Sequence, residues 1–439
     1  MKYFSITIVL ITLAASVNAM DLAQTYELAL LNDPTLKAAR AQRDAVREVK
    51  PQAVARLLPL LSVQGSGDYV DSRSVTNSEI ESSFFTSRIE SYKEGGFSVN
   101  LNQPVFHWDY WARLFQTDYE IGQAEAQYKA AEQELMVRAA QAYFGVLTAQ
   151  DDLKFKTAEK IAIGRQLEQA QQRFDVGLIA ITDVYEAQAG YDQARSEEIF
   201  ALNEVDNAKE RLREIIGEQA VQLAVLAKDI PLEPPAPSDI DEWSSAAQKQ
   251  NYEVIAAQNS AEVAHRNVDI QQSGHYPTLD IVGSFGINES ESQVGLTREN
   301  GTVGLQLNVP LFEGGGVLSR TRQAAHSYTQ AKDELVKARR AVSRQVKDAY
   351  RGVISTIARV KALKAAVKSS ESSLEATEAG FEVGTRTMVD VLNVQRDLFR
   401  AKSAYANSRY DYILNGFLLK QASSIMSGAD LSNVSRWLE

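Results

Sequence analysis

The chain of 439 residues has no cysteine. That excludes disulfides, thiolate metal sites and a cysteine for lipid attachment. Histidine is scarce. His107, His265, His275 and His326 are the four, and none stands in a metal-ligand spacing such as H-E-x-x-H. No phosphate-loop or dinucleotide fingerprint occurs. Gly314-Gly315-Gly316 lacks the lysine a phosphate loop needs and reads as a strand-to-helix joint. Beyond residue 19 there is no run of about 20 apolar residues, so no bilayer-spanning helix is expected. Basic residues are outnumbered, 46 Lys and Arg against 57 Asp and Glu, for a net charge of −11. An acidic chain does not suit nucleic acid or anionic lipid as its main partner. No enzyme, metal or cofactor reading has residues to stand on.

What is present begins with an export signal. Residues 1–19 read as a signal peptide, with Lys2 as the charged region, an apolar stretch over 6–15, and Val17-Asn18-Ala19 as the cleavage site before Met20. An N-terminal membrane anchor is the other reading, and the apolar run is short for it.

The chain then repeats itself. Residues about 207 apart match: Tyr143 with Tyr350, Phe174 with Phe381, Gly177 with Gly384, Asp183 with Asp390, Gln188 with Gln395. Leu101-Asn102-Gln103-Pro104-Val105-Phe106 matches Leu307-Asn308-Val309-Pro310-Leu311-Phe312, and Pro59 matches Pro277 further upstream. A duplicated unit of this size suggests one element used twice around an axis. The expected organisation is a first repeat over 20–217, a proline-rich crossover over 218–242, a second repeat over 243–424, and a tail over 425–439.

Each repeat opens with helix and then alternates. Leu61, Val63, Gly65, Gly67 and Tyr69 alternate with polar residues over 59–70. Phe97, Val99 and Leu101 do so over 95–103. The second repeat shows the same over 277–288 and 301–309. Polar loops are expected between the members of each pair, over 71–92 and 286–300. Period-2 alternation gives each strand one apolar and one polar face, which fits a sandwich in water or a barrel in lipid. Lengths of about 9–11 residues suit a tilted membrane strand. Four strands cannot close a barrel, so a membrane location requires oligomerisation: about eight strands from two chains, or about twelve from three.

Long helices follow, expected over 108–175 and 316–382, with shorter returns over 182–216 and 388–424. Leu135, Ala139, Ala142, Val146, Ala149 and Leu153 fall at 4-3-4-3-4 spacing, and Val342, Val346, Ala349, Val353, Thr356 and Val360 repeat it. This is a coiled-coil seam. Each long helix stops at a glycine, Gly177 or Gly384. In the first turn Thr182 or Asp183 is placed to cap the returning helix.

Taken together, Arg173-Phe174-Asp175-Val176-Gly177-Leu178-Ile179-Ala180-Ile181-Thr182-Asp183-Val184, the stretch from Phe381 to Asn393, Phe399-Arg400-Ala401-Lys402 and Arg409-Tyr410-Asp411-Tyr412 resemble the TolC-type outer membrane channel family. The resemblance covers nearly the whole mature chain. It implies an α+β membrane protein, a homotrimer with a 12-stranded β-barrel in the outer membrane of a Gram-negative bacterium, and long coiled-coil helices forming a periplasmic α-barrel. The crossover and the tail would form a belt around the tunnel's middle. The activity implied is passive export, for type I secretion or multidrug efflux. Partners would be a periplasmic adaptor and an inner-membrane ABC or RND transporter, with no cofactor. By motif position Asp390 matches one aspartate of the pore constriction, and Asn393 stands where the family has a second. Arg386 matches a closed-state latch arginine, with Thr182 and Asp183 as its partners, and Phe381 replaces a latch tyrosine. Gly177, Leu178, Gly384 and Thr385 match the adaptor-docking tips. Asp183 as a simple helix cap and Asp390 as a solvated surface residue are the plainer readings of those two. The alternative for the whole chain is a periplasmic coiled-coil spacer whose strands mediate assembly.

Overall fold

The structure is a computed structural model that describes residues 19–76, 86–218, 222–291 and 296–439. The expected signal peptide, up to residue 18, and the tips of both polar loops lie outside the described residues. The helices are α1 (Leu22–Asn32), α2 (Pro34–Arg47), α3 (Val49–Ala55), α4 (Trp108–Asp175), α5 (Ile181–Ile216), α6 (Ile240–Gln250), α7 (Tyr252–Gln272), α8 (Gly316–Glu382), α9 (Met388–Ala422) and α10 (Gly428–Ser435). The strands are β1 (Leu60–Thr76), β2 (Thr86–Phe106), β3 (Thr278–Ser290) and β4 (Leu296–Asn308). Two compact units result. One holds residues up to Ala39 with Tyr128–Tyr252 and Arg340–Glu439, and the other holds Arg40–Gln127 with Glu253–Arg339.

The second unit carries a four-stranded antiparallel sheet in the order β1-β2-β3-β4. Its central pairing, β2 with β3, joins the two repeats, for example Val99 opposite Phe285 and Leu101 opposite Gly283. The register shifts between Pro104 and Phe106, where proline has no N–H to give the ladder. β1 and β4 each have one partner and one open edge. Val63, Val303 and Leu305 are at least 70% exposed. His107 closes the joint between β2 and α4: its Nε2 lies 3.1 Å from both Asp280 carboxylate oxygens, and its ring stacks on Tyr110. Arg47 pairs with Glu125 and Lys50 with Asp118, tying α2 and α3 to α4.

The strands run past the expected 59–70, 95–103, 277–288 and 301–309. Much of 71–92 and of 286–300, expected as loop, is paired strand: Asp71 faces Ser91 and Ile287 faces Glu299. The extra rungs are held by backbone N–H and C=O groups. A ladder continues through polar residues, but the alternation that announces it in a sequence does not.

The first unit is helical. In the α8 seam Val342, Val346, Val353, Thr356 and Val360 are buried and Ala349 is half-buried. In α4 the seam residues Leu135, Ala139, Val146 and Ala149 are buried, whereas Ala142 and Leu153 are half-buried. Tyr143, Phe144 and Leu147 are buried beside them. This wider core exists because α4 is covered from more directions. Asp33, 1% exposed, receives both guanidinium nitrogens of Arg138 at 3.0 Å and caps α2 through the Leu36 N–H at 2.6 Å. The repeat-matched tyrosines do the same task twice. The Tyr143 hydroxyl donates to the Ala224 carbonyl at 2.7 Å and the Tyr350 hydroxyl donates to the Ser238 carbonyl at 2.5 Å. Both acceptors lie in the crossover, which also exchanges backbone hydrogen bonds with the chain end, Val225 with Glu439.

Candidate functional site

The residues that the resemblance singles out gather in the first unit, where α4 turns into α5 and α8 into α9. Each turn is a Schellman motif. The Leu178 N–H donates to the Arg173 carbonyl at 2.9 Å and the Gly177 N–H to the Phe174 carbonyl at 2.8 Å. The second turn repeats this, with Thr385 to Gly380 at 2.9 Å and Gly384 to Phe381 at 3.1 Å. Both glycines have φ of 77°. That left-handed conformation strains any residue with a Cβ, which is why glycine stands there. The turns push side chains into solvent: Val176, Leu178 and Val383 are 70–75% exposed.

Under the turns lies an apolar cluster of Ile163, Ala170, Val184, Ala187, Ala194, Met388 and Leu392, with Ile179 and Phe381 packed against it. Small residues and branched aliphatics at helical spacing let four helix ends meet. Phe381 also takes the Arg173 guanidinium over its ring, 5.2 Å from the centre. The two repeats therefore exchange an arginine. Arg173 and Ile179 in the first correspond to Gly380 and Arg386 in the second. Ile179 packs inward, while Arg386 is exposed and lays its stem over Gly380, where a Cβ would come within 2.8 Å of the Arg386 Cγ.

The helix starts differ as well, and one expectation is corrected. Neither Thr182 nor Asp183 caps α5. The N-cap is Ala180, with no side-chain cap, and both residues lie inside the first turn. The capping box is in the other repeat: Thr387 caps α9 and pairs reciprocally with Asp390. The Asp390 N–H donates to the Thr387 Oγ1 at 3.2 Å, and the Thr387 N–H and hydroxyl both donate to the Asp390 Oδ2 at 2.9 Å. These bonds, aided by Arg386, hold the Asp390 carboxyl below the usual carboxylate range. Asn393, one turn on, is exposed. Among the described residues no hydrogen bond or ion pair joins Arg386 to Thr182 or Asp183 within one chain. Glu378, one turn before the second glycine turn, is pushed up by burial and by Glu382, and its Oε1 lies 3.5 Å from Gln166 Nε2.

Sequence reasoning missed Thr387 and Arg173. The signal for Thr387 was available: Thr387-x-x-Asp390 is a capping-box spacing. The Arg173–Phe381 contact joins residues from different repeats and had no sequence signal.

Among the described residues no helix is long and apolar enough to cross a membrane, and no group of three or more metal-ligating side chains stands together. A four-stranded sheet with two open edges, and two helices of 68 and 67 residues returning at glycine turns, define one subunit's share of a membrane channel with a helical extension. The outer membrane efflux protein family model matches residues 25–218 and 243–422, and the chain belongs to that family. It is 38% identical to the outer membrane protein TolC of Vibrio cholerae serotype O1, over 98% of this chain and 96% of that protein. It is 29% identical to the alkaline protease secretion protein AprF of Pseudomonas aeruginosa, over 95% of this chain and 87% of that one. Among solved structures, the CmeC outer membrane channel of Campylobacter jejuni aligns with a TM-score of 0.79 at 15% identity, over 95% of this chain and 90% of that chain. The fold is that of the trimeric TolC-like channels, with four strands per chain. The chain is an outer membrane efflux channel protein of a Gram-negative bacterium and extends into the periplasm. The family is one of channels, which removes the periplasmic spacer as a reading of the whole chain.

Proposed function

We propose that three copies of this chain form a passive export duct that docks through its glycine turns onto a periplasmic adaptor and, through it, an inner-membrane transporter of the ABC or RND type. The open edges of β1 and β4 pair between copies, since an unpaired strand edge is not tolerated in lipid. The observation that carries the docking reading is the pair of matched turns. Gly177 with Leu178 and Gly384 with Thr385 repeat one backbone geometry and leave Val176, Leu178 and Val383 free to be covered. Three copies present six such turns.

Asp390 lines the narrowest part of the duct as one ring of three carboxylates, and Asn393 supplies an uncharged ring one turn further in. Arg386 latches the closed state against Thr182 and Asp183 of a neighbouring copy, a reading supported by its exposure and by the absence, among the described residues, of a bond from it to either residue of its own chain. Phe381 supports the latch by packing rather than by a hydroxyl. The cargo includes secreted protein, a reading supported by the likeness to a protease secretion protein along 95% of this chain.

Conductance of the purified trimer in planar bilayers tests this reading. Asp390→Ala should reduce cation selectivity, and Arg386→Ser should raise conductance by loosening the closed end. Unchanged selectivity would remove Asp390 from the pore, and unchanged conductance would remove Arg386 from the latch. Double substitution of Leu178 and Val383 by Asp should abolish export while leaving conductance intact.

A further inference from the structure

The two returning helices begin with matched aspartates, but only one aspartate is held. Asp183 follows Ala180, whose methyl can neither donate nor accept a hydrogen bond. Asp390 follows Thr387, and three hydrogen bonds run between the two residues. The Thr387 hydroxyl works in both directions, accepting the Asp390 N–H and donating to Oδ2. The Thr387 N–H donates to the same oxygen. Oδ2 is thus saturated by two donors from one residue. No hydrogen bond to Oδ1 occurs among the described residues, and the side chain is part-exposed. A carboxylate bound this way cannot rotate freely, so its open oxygen keeps one direction.

We infer that Thr387 is the positioning residue of the pore constriction: its hydrogen bonds fix the Asp390 carboxylate and turn the unpaired oxygen Oδ1 toward the ion path. This rests on the reading of Asp390 as a pore-lining residue. The capping box is usually a device of helix stability, worth the same at any helix start. Here it occurs at the start of α9, whose aspartate is placed in the constriction, and is absent from the matched start of α5.

The consequence is a pH range. Donors to the ionised form favour it, so Asp390 keeps its charge further into acid than an unassisted carboxylate. Among the described residues Arg386 is the charged group that bears on it, and it acts in the same direction. The Asp390 side chains of the other two copies oppose this, because like charges raise one another's pKa. Three carboxylates brought together need such support if all are to stay charged. The duct should keep its cation preference as external pH falls, and lose it only when Asp390 protonates.

The test uses the full-length trimer in planar bilayers, with reversal potentials in a KCl gradient read from pH 7 downward. The probe is K+ against Cl−. The variants are Thr387→Val, Thr387→Gly, Thr387→Ser and Asp390→Asn. Asp390→Asn should remove the acid-sensitive part of the selectivity. Thr387→Val and Thr387→Gly should retain that part at pH 7 but lose it at a higher pH than the wild type does. Thr387→Ser keeps the hydroxyl and should follow the wild type. Glycine is an accepted N-cap that costs a helix little, so Thr387→Gly decides the matter if the valine variant does not assemble. The inference is overturned if both hydroxyl-free variants titrate with the wild type while Asp390→Asn still abolishes the acid-sensitive part. If Asp390→Asn leaves that part intact, the pore-lining reading fails and this inference falls with it.

Discussion

The Arg173 guanidinium lies over the Phe381 ring, 5.2 Å from its centre, and so links the last turns of α4 and α8. One residue comes from each repeat, and neither is matched by the other under the duplication. The contact sits on the apolar cluster that joins the four helix ends. It makes Phe381 a packing element of the turn region.

Phe381→Ala should lower stability by about 1–3 kcal/mol, from lost burial of a partly covered ring and a lost cation–π contact. Phe381→Tyr should keep both and stay close to the wild type. Thermal denaturation of the detergent-solubilised trimer, followed by helical circular dichroism, measures this. An alanine variant with the wild-type midpoint would contradict it.

Gly177→Ala and Gly384→Ala should each cost about 1 kcal/mol, because a Cβ strains the left-handed backbone. Nothing lies within 4 Å of a Cβ built at either position, so the cost is purely conformational. Asparagine, which tolerates this region, should cost less than alanine at both sites. The same melting experiment ranks the three residues, and a neutral alanine would argue against the turn geometry.

Ala180→Thr should create at the start of α5 the capping box that the matched start of α9 possesses. Asp183 already stands at the matching position in the first turn of α5. The gain expected is about 1 kcal/mol. Ala180→Val, of similar volume but without a hydroxyl, should show no such gain in parallel melts.

Asp33→Ala should cost about 2–4 kcal/mol. It leaves Arg138 without its bidentate partner and α2 without its cap. The Arg138→Met change in the same chain should recover part of the loss. A double variant no better than the single one would show that the cap alone matters.

Glu378 carries a raised pKa, with burial the largest cause and Glu382 the second. A raised carboxyl pKa means that the folded state binds the proton more tightly than the unfolded state. Its contribution is therefore most favourable in acid and is lost as pH rises through the folded pKa. Glu378→Gln should raise the melting midpoint at pH 7, and the advantage should shrink toward pH 4. An advantage independent of pH would rule out this cause.

The duplication, the two glycine stops and the coiled-coil seam were legible because each is written in local residues. Gly177 and Gly384 announce a left-handed turn wherever they are placed. The α8 seam, Val342 through Val360, follows from periodicity alone. The strands were legible only where apolar residues alternate, so their polar ends around Asp71 and Ser91 were read as loop. A cap at Thr182 or Asp183 looked reasonable from composition. The N-cap is instead Ala180, two residues before Thr182 and three before Asp183, and the box belongs to Thr387 and Asp390.

The sequence by itself determined what recurs at short range: where helices start and stop, which strand faces are apolar, and that one unit is used twice. Those choices depend on φ, on side-chain period and on caps, all of which act over a few residues. Only the tertiary structure decided which copy of each matched residue does which task. It packed a half-buried Ile179 against the apolar cluster while leaving Arg386 exposed, and set Arg173 against Phe381. The reason is that packing compares residues hundreds of positions apart, and two copies of a sequence acquire different neighbours once they fold together.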